Sequence, residues 1–147
     1  VYNACPELPE PVLRGTEGRF QVSDVPGLSL HYADAGARDG PVVVLLHGWP
    51  DSLHSWRLLS PHLDPRLRVI SISLRGFGDS WLDAEDQASR SPHPLPDMSI
   101  ATLAGDVQAL LGRLGVSSAA VCGYSLGALV ARQMAAGLAV GGAPRVQ

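Results

Sequence analysis

The sequence predicts an α/β protein, a three-layer fold whose mostly parallel sheet opens on an N-terminal hairpin. Three observations predict it. An unbroken apolar run rich in β-branched residues at 42–46 has the pattern of a strand buried on both faces, and further strand candidates follow at 68–74 and 116–122. Segments with helical apolar spacing lie between and after them. Each run also leads into a glycine-bearing motif, HGWPD, RGFGDS or GYSLG, and in open α/β sheets ligands sit beyond the carboxyl ends of the strands.

Residues 1–18 are rich in Pro and Glu and read as an extended arm, with 19–147 as the core. Residues 19–25 and 28–35 alternate around Pro26-Gly27, so a hairpin is expected there. Pro41 opens the 42–46 strand. A helix is expected around 55–63, with Trp56, Leu59 and Leu63 on one face. The 68–74 strand ends in RGFGDS, and 81–98 form a long polar, Pro-rich connection. Ser99 caps a helix in which Ile100, Leu103, Val107, Leu110, Leu111 and Leu114 recur, and Gly115 stops it. Asp106 is placed on the polar side of that helix, in solvent. A last helix is expected over 126–136, and GLAVGGAPRVQ after it reads as a frayed end. There is no repeat or linker. The alternation of strand and helix implies right-handed crossovers with helices on both sheet faces.

Composition narrows the function classes. The 147 residues are 46% apolar and 17% charged, enough for one packed core. A net charge of −3 supplies no basic surface for nucleic acid. All 11 basic residues are Arg, a compositional bias rather than a mechanism. Cys5 and Cys122 have neither metal nor redox spacing, and Cys122, inside an apolar run, reads as a buried free thiol. Neither a signal peptide nor a bilayer-length apolar run is present, so the expected setting is cytoplasmic, with no membrane partner. The chain does not begin with Met.

The motif GYSLG, residues 123–127, places Ser125 where an apolar strand meets an amphipathic helix. Chance alone supplies on the order of 0.16 such patterns in a chain of this composition, so the strand-turn-helix setting carries the assignment. A nucleophilic serine must project from a sharp turn. Gly123 and Gly127 remove the side chains that would collide with the adjoining strand and helix. The helix that begins at Leu126 points its amides at the oxygen that turns negative during acyl transfer.

On these motifs the chain, over 19–136, resembles the α/β-hydrolase superfamily. VVVLLHGWPDSLHSWR and ISLRGFGDS are similar to segments of its epoxide-hydrolase and haloalkane-dehalogenase-like branch, and GYSLGALVA resembles the nucleophile elbow. Ser73 stands where that branch commonly has an acidic residue. The resemblance implies Ser125 as nucleophile and the backbone amides of Trp49 and Leu126 as oxyanion donors. It further implies that Pro50 fixes the turn presenting Trp49 and that His47 and Gly48 brace the loop. Phe77, Tyr124 and Trp49 are candidates for lining the pocket. Asp51 and Asp79 read as loop-closing residues. That branch attacks with a carboxylate, so a serine implies an acyl-enzyme and an ester-like small-molecule substrate, with no metal or organic cofactor.

In this fold the acid and the histidine follow the nucleophile. The residues after Ser125 contain no His, Asp or Glu, and His31, His47, His54, His62 and His93 all precede it. The expectation is an N-terminal part of a longer hydrolase, nearly inactive by itself. If a base lay upstream, His93 in the polar connection would be the candidate. Two other classes compete: a non-catalytic hydrolase-like binding protein, and a cofactor-free perhydrolase.

Overall fold

The structure, a computed structural model, describes residues 16–22, 28–80, 97–137 and 145–146. Six strands run through it: β1 Thr16–Gln21, β2 Ser29–Gly36, β3 Val42–Leu46, β4 Arg68–Ile72, β5 Ser118–Gly123 and β6 Arg145–Val146. They form one sheet in the order β1-β2-β4-β3-β5-β6. β1 and β2 are antiparallel, as the hairpin pattern predicts, and β2 is antiparallel to β4. The pairings of β3 with β4 and with β5, and of β5 with β6, are parallel. Pro26-Gly27 and residues 1–15 and 81–96 lie outside the described residues.

Two boundaries differ from the sequence expectation. β1 begins inside the stretch read as an arm, because Thr16 and Glu17 find ladder partners in Asp34 and Ala33. The tail read as frayed contains β6, where Arg145 and Val146 pair with Ser118 and Ala119.

β3 packs on both faces, Val44 and Leu46 in one cluster and Val43 and Leu45 in the other, which is why its run is apolar without alternation. One sheet face carries Val44, Leu46, Ile70 and Ile72 and packs against two helices, α1 (Ile100–Arg113) and α2 (Leu126–Gly137). Leu103, Val107, Leu110 and Leu111 of α1 and Val130 and Met134 of α2 close that core. At about 25 cal/mol per Å² of apolar surface, this layer is the main stabilising contact of the fold.

The opposite face holds Leu45, Val69 and Trp56, with Val43, Leu63 and Leu67 around them. Its cover is the segment expected to be a helix, which forms two 3₁₀ turns, Leu53–Leu58 and Ser60–His62. Local bonds explain the tighter turn. Ser52 Oγ accepts from the His54 amide and Ser55 Oγ donates to the Ser52 carbonyl. Pro61 then removes an amide that a continuing helix needs. Trp56 is buried there, whereas Leu59 is 41% exposed and does not share its face.

Cys122 is a correction as well. It pairs with Leu45 and points to this second face, beyond the reach of the 3₁₀ turns, so its thiol is exposed.

α1 starts and stops where its sequence indicates. Ser99 Oγ accepts from the Thr102 amide at 3.2 Å, and Asp97 accepts from the Ser99 amide and from the Thr102 hydroxyl. At the other end Gly115 takes φ +70°, and the Val116 amide reaches back to the Leu111 carbonyl.

Candidate functional site

The carboxyl ends of β3, β4 and β5 converge where HGWPD, RGFGDS and GYSLG follow them. Ser125 links β5 to α2 with φ +51°, a left-handed backbone that non-glycine residues adopt at a cost. It is exposed, so its hydroxyl is accessible. Gly123 and Gly127 allow the sharp turn. A Cβ on Gly123 would lie 2.4 Å from the Gly127 carbonyl, and one on Gly127 would lie 2.2 Å from the Leu46 carbonyl oxygen. No side chain fits at either position.

The HGWPD turn lies directly against this elbow. A Cβ on Gly48 would stand 2.6 Å from the Tyr124 ring and 3.1 Å from Ser125 Cβ. The Trp49–Pro50 peptide is cis, and the Trp49 side chain is 71% exposed. Among the described residues neither the Trp49 amide nor the Leu126 amide donates to a protein acceptor. For Leu126 the cause is its place at the first position of α2, where helix amides lack intrahelical partners.

His47 is fully buried beneath the turn. Its Nε2 accepts from the Leu74 amide at 2.9 Å, and its Nδ1 lies 2.7 Å from the Gly48 carbonyl oxygen. Because an amide can only donate, Nε2 must be the unprotonated nitrogen and Nδ1 donates to Gly48. Burial holds the imidazole below its ordinary value, against the Gly48 bond and the Asp51 charge, which raise it. Both nitrogens are therefore engaged with backbone. Phe77 meets this ring edge-on at 5.4 Å and packs against the main core.

Tyr124 reaches across to the same turn. Its hydroxyl donates to Asp51 Oδ2 at 2.9 Å, and its ring meets Trp56 edge-to-face at 5.6 Å. Asp51 Oδ1 accepts from the Ser52 amide. Hydrogen bonds from Ser55, Ser52 and Tyr124, with Ser55 the largest cause, hold the Asp51 carboxyl below the usual carboxylate range.

RGFGDS forms the third wall. Ser73 is buried, and its Oγ accepts from the Leu53 amide at 3.0 Å. Ser80 donates to the Ser73 carbonyl and accepts from the His31 amide. Arg75 is buried against Asp106 of α1, with Nε–Oδ2 and Nη2–Oδ1 both 2.7 Å. This overturns the solvated reading of Asp106. The residue follows Leu103 by three and precedes Leu110 by four, which places it on the apolar stripe. That spacing was the available signal.

The remaining histidines lie elsewhere. His31 is buried between Glu17, 3.1 Å from Nε2, and Asp79, 3.5 Å from Nδ1. His54 stacks obliquely near it, and His93 lies outside the described residues. None of the described histidines hydrogen-bonds to Ser125. Among the described residues no group of three or more His, Cys, Asp and Glu is arranged to hold a metal ion, and no helix is long and apolar enough to cross a membrane. A cavity of about 450 Å³ opens at the opposite, amino ends of β3 and β5, remote from the elbow; its Arg38 and Arg68 are both engaged by Asp34.

Comparison with known proteins identifies the fold. A family model described as the alpha/beta hydrolase fold matches residues 41–138. Epoxide hydrolase 4 of Mus musculus is 32% identical over 128 residues, covering 87% of this chain and 32% of that protein. Soluble epoxide hydrolase of a Corynebacterium strain is 36% identical over 116 residues, covering 79% of this chain and 36% of that protein. A solved epoxide hydrolase from hot-environment metagenomes superposes with TM-score 0.71 at 28% identity, over 91% of this chain and 40% of its own. The chain spans about a third of the length of these curated relatives.

Proposed function

The chain belongs to the α/β-hydrolase fold family, and on that premise we propose that it carries the nucleophile elbow and oxyanion pair of a serine hydrolase acting on ester-like carbonyl substrates. The observation that supports this reading is Ser125 itself, accessible at φ +51° between a parallel strand and the first turn of a helix. In the reaction Ser125 Oγ attacks the carbonyl carbon, and the carbonyl electron pair moves onto oxygen. The Trp49 and Leu126 amides donate hydrogen bonds to that oxygen, the kind of preorganised donor pair whose members are each worth roughly 10²–10³ in rate. Collapse of the tetrahedral species expels the alcohol and leaves an acyl group on Ser125, which water then hydrolyses.

Proton transfer requires a base. His47 does not supply it, because both of its nitrogens are held by backbone groups. The residues after Ser125 include no histidine. None of the described histidines hydrogen-bonds to Ser125, so in this reading the oxyanion amides and the first turn of α2 activate it, and slow acylation of the chain by a reactive probe is expected without turnover. The relatives are named for epoxide opening, a reaction that a carboxylate nucleophile performs through an alkyl-enzyme; a neutral hydroxyl at 125 favours the acyl route instead.

The test is labelling of the full chain with a biotinylated fluorophosphonate. Modification that maps to Ser125 and vanishes in Ser125→Ala supports the reading. No modification, or equal modification of the variant, overturns it.

A further inference from the structure

The two walls of the elbow come from different strands, and the ladder that joins them stops short of the site. The β3–β5 register ends at Leu46 opposite Gly123, and the Tyr124 amide adds one last bond to the Leu46 carbonyl at 3.3 Å. Beyond it the HGWPD turn and the GYSLG elbow are separate loops. A side-chain bond spans them there, from the Tyr124 hydroxyl to Asp51 Oδ2, between residues 73 positions apart.

From this we infer that Tyr124 and Asp51 form a clasp that sets the spacing of the two oxyanion amides, and so act as positioning residues for acylation of Ser125; the inference rests on the reading of Ser125 as nucleophile. Each clasp residue is two positions from one amide, Asp51 from Trp49 and Tyr124 from Leu126. The partners are themselves fixed. The Tyr124 ring is held between Gly48, where a Cβ would collide with it at 2.6 Å, and the edge of Trp56. The carboxylate is oriented through its other oxygen, which accepts from the Ser52 amide at 2.8 Å. Ser55 Oγ, 3.4 Å from the Tyr124 hydroxyl, closes the group. An O–H donor on an ionised acceptor makes a charge-assisted bond.

The bond is exposed, so it contributes little to global stability. Its effect is on geometry, where a misplacement of about 1 Å can cost up to about 10² in rate. This separates a positioning role from a structural one.

The experiment uses the full chain, a fluorophosphonate probe and three variants: Tyr124→Phe, which removes only the hydroxyl; Asp51→Ala, which removes the acceptor; and Asp51→Asn, which keeps an acceptor oxygen. Measured are the rate constant for modification of Ser125, the thermal midpoint, and the ¹H–¹⁵N shifts of the Trp49 and Leu126 amides. Tyr124→Phe and Asp51→Ala are expected to slow modification about tenfold, with both amides shifted and the midpoint changed by less than about 3 °C. Asp51→Asn should recover most of the rate. Unchanged modification in Tyr124→Phe, or a rate loss that merely follows a falling midpoint, overturns the clasp. If wild-type chain is not modified at Ser125, the nucleophile reading has failed instead. The amide shifts then still decide the geometry: a Trp49 amide unmoved by Tyr124→Phe overturns the clasp.

Discussion

Arg75 and Asp106 form a buried two-bond ion pair, Nε to Oδ2 and Nη2 to Oδ1, both 2.7 Å. It joins the loop after β4 to the middle of α1. The residue before Arg75, Leu74, gives its amide to His47, and His47 holds the Gly48 carbonyl. A helix on one face of the sheet is thus connected, through a single loop, to the turn that lies against Ser125.

Breaking that pair should be costly. Removing either partner takes a compensating charge out of a buried site, so Asp106→Ala or Arg75→Ala should lower stability by about 3–5 kcal/mol. Replacing both, as Arg75→Met with Asp106→Leu, should recover most of the loss. Urea unfolding of the single and double variants checks this. A double variant as weak as the singles would show that the pair contributes more than the avoidance of isolated charge.

Acid should act on the fold through His47. Its folded value lies below the ordinary 6.5, so above that pH both folded and unfolded chains hold it neutral. As the pH falls below 6.5, the unfolded chain takes up a proton that the fold resists, and stability drops until the lower folded value is passed. Protonation would also place an Nε2 proton against the Leu74 amide. Thermal midpoints from pH 8 to pH 5 should fall for the wild type and less steeply for His47→Gln. Equal slopes would exclude His47 as the cause.

Gly127 should tolerate no side chain. A Cβ there would sit 2.2 Å from the Leu46 carbonyl oxygen and 2.7 Å from that of His47, and neither backbone atom can move without displacing β3. Gly127→Ala is expected to cost upwards of about 3 kcal/mol, at the high end of single substitutions. By contrast Gly105→Ala on α1 meets nothing within 4 Å and should stabilise its helix by up to about 1 kcal/mol. Circular-dichroism melts of the two variants should move in opposite directions.

At residue 125, the proposed nucleophile, stability and function should oppose each other. A non-glycine residue at φ +51° carries strain of about 1–3 kcal/mol, part of which glycine relieves. Ser125→Gly should therefore unfold at a higher temperature than the wild type while losing all fluorophosphonate labelling. A lower midpoint would mean that the serine side chain makes a stabilising contact.

Much of this was legible in the sequence, for identifiable reasons. A doubly buried strand favours an unbroken apolar run, so β3 was visible, and Ser99 and Gly115 mark α1 by local chemistry. GYSLG was legible because its glycines answer a steric need that the turn creates. The segment after HGWPD was misread because its apolar spacing suits a helix, while the serines and Pro61 that tighten it act through local bonds. Asp106 was misread because its charge outweighed its position between Leu103 and Leu110; the partner that makes burial tolerable is Arg75, 31 positions away. Cys122 was misread because an apolar run does not reveal which sheet face is covered. The Tyr124–Asp51 bond is longer in range still, 73 positions, and depends on how two loops meet.

The left-handed backbone at residue 125 belongs to the path of the chain, set by the two glycines and the close approach of β3, whatever side chain projects from it. Asp and Asn enter that conformation more readily than most residues. A carboxylate at 125 would therefore be accepted with no change of fold. Under the proposed serine reading, a change in the class of nucleophile at this one residue would leave the glycines on either side fixed. The elbow constrains its neighbours far more tightly than it constrains the chemistry it presents.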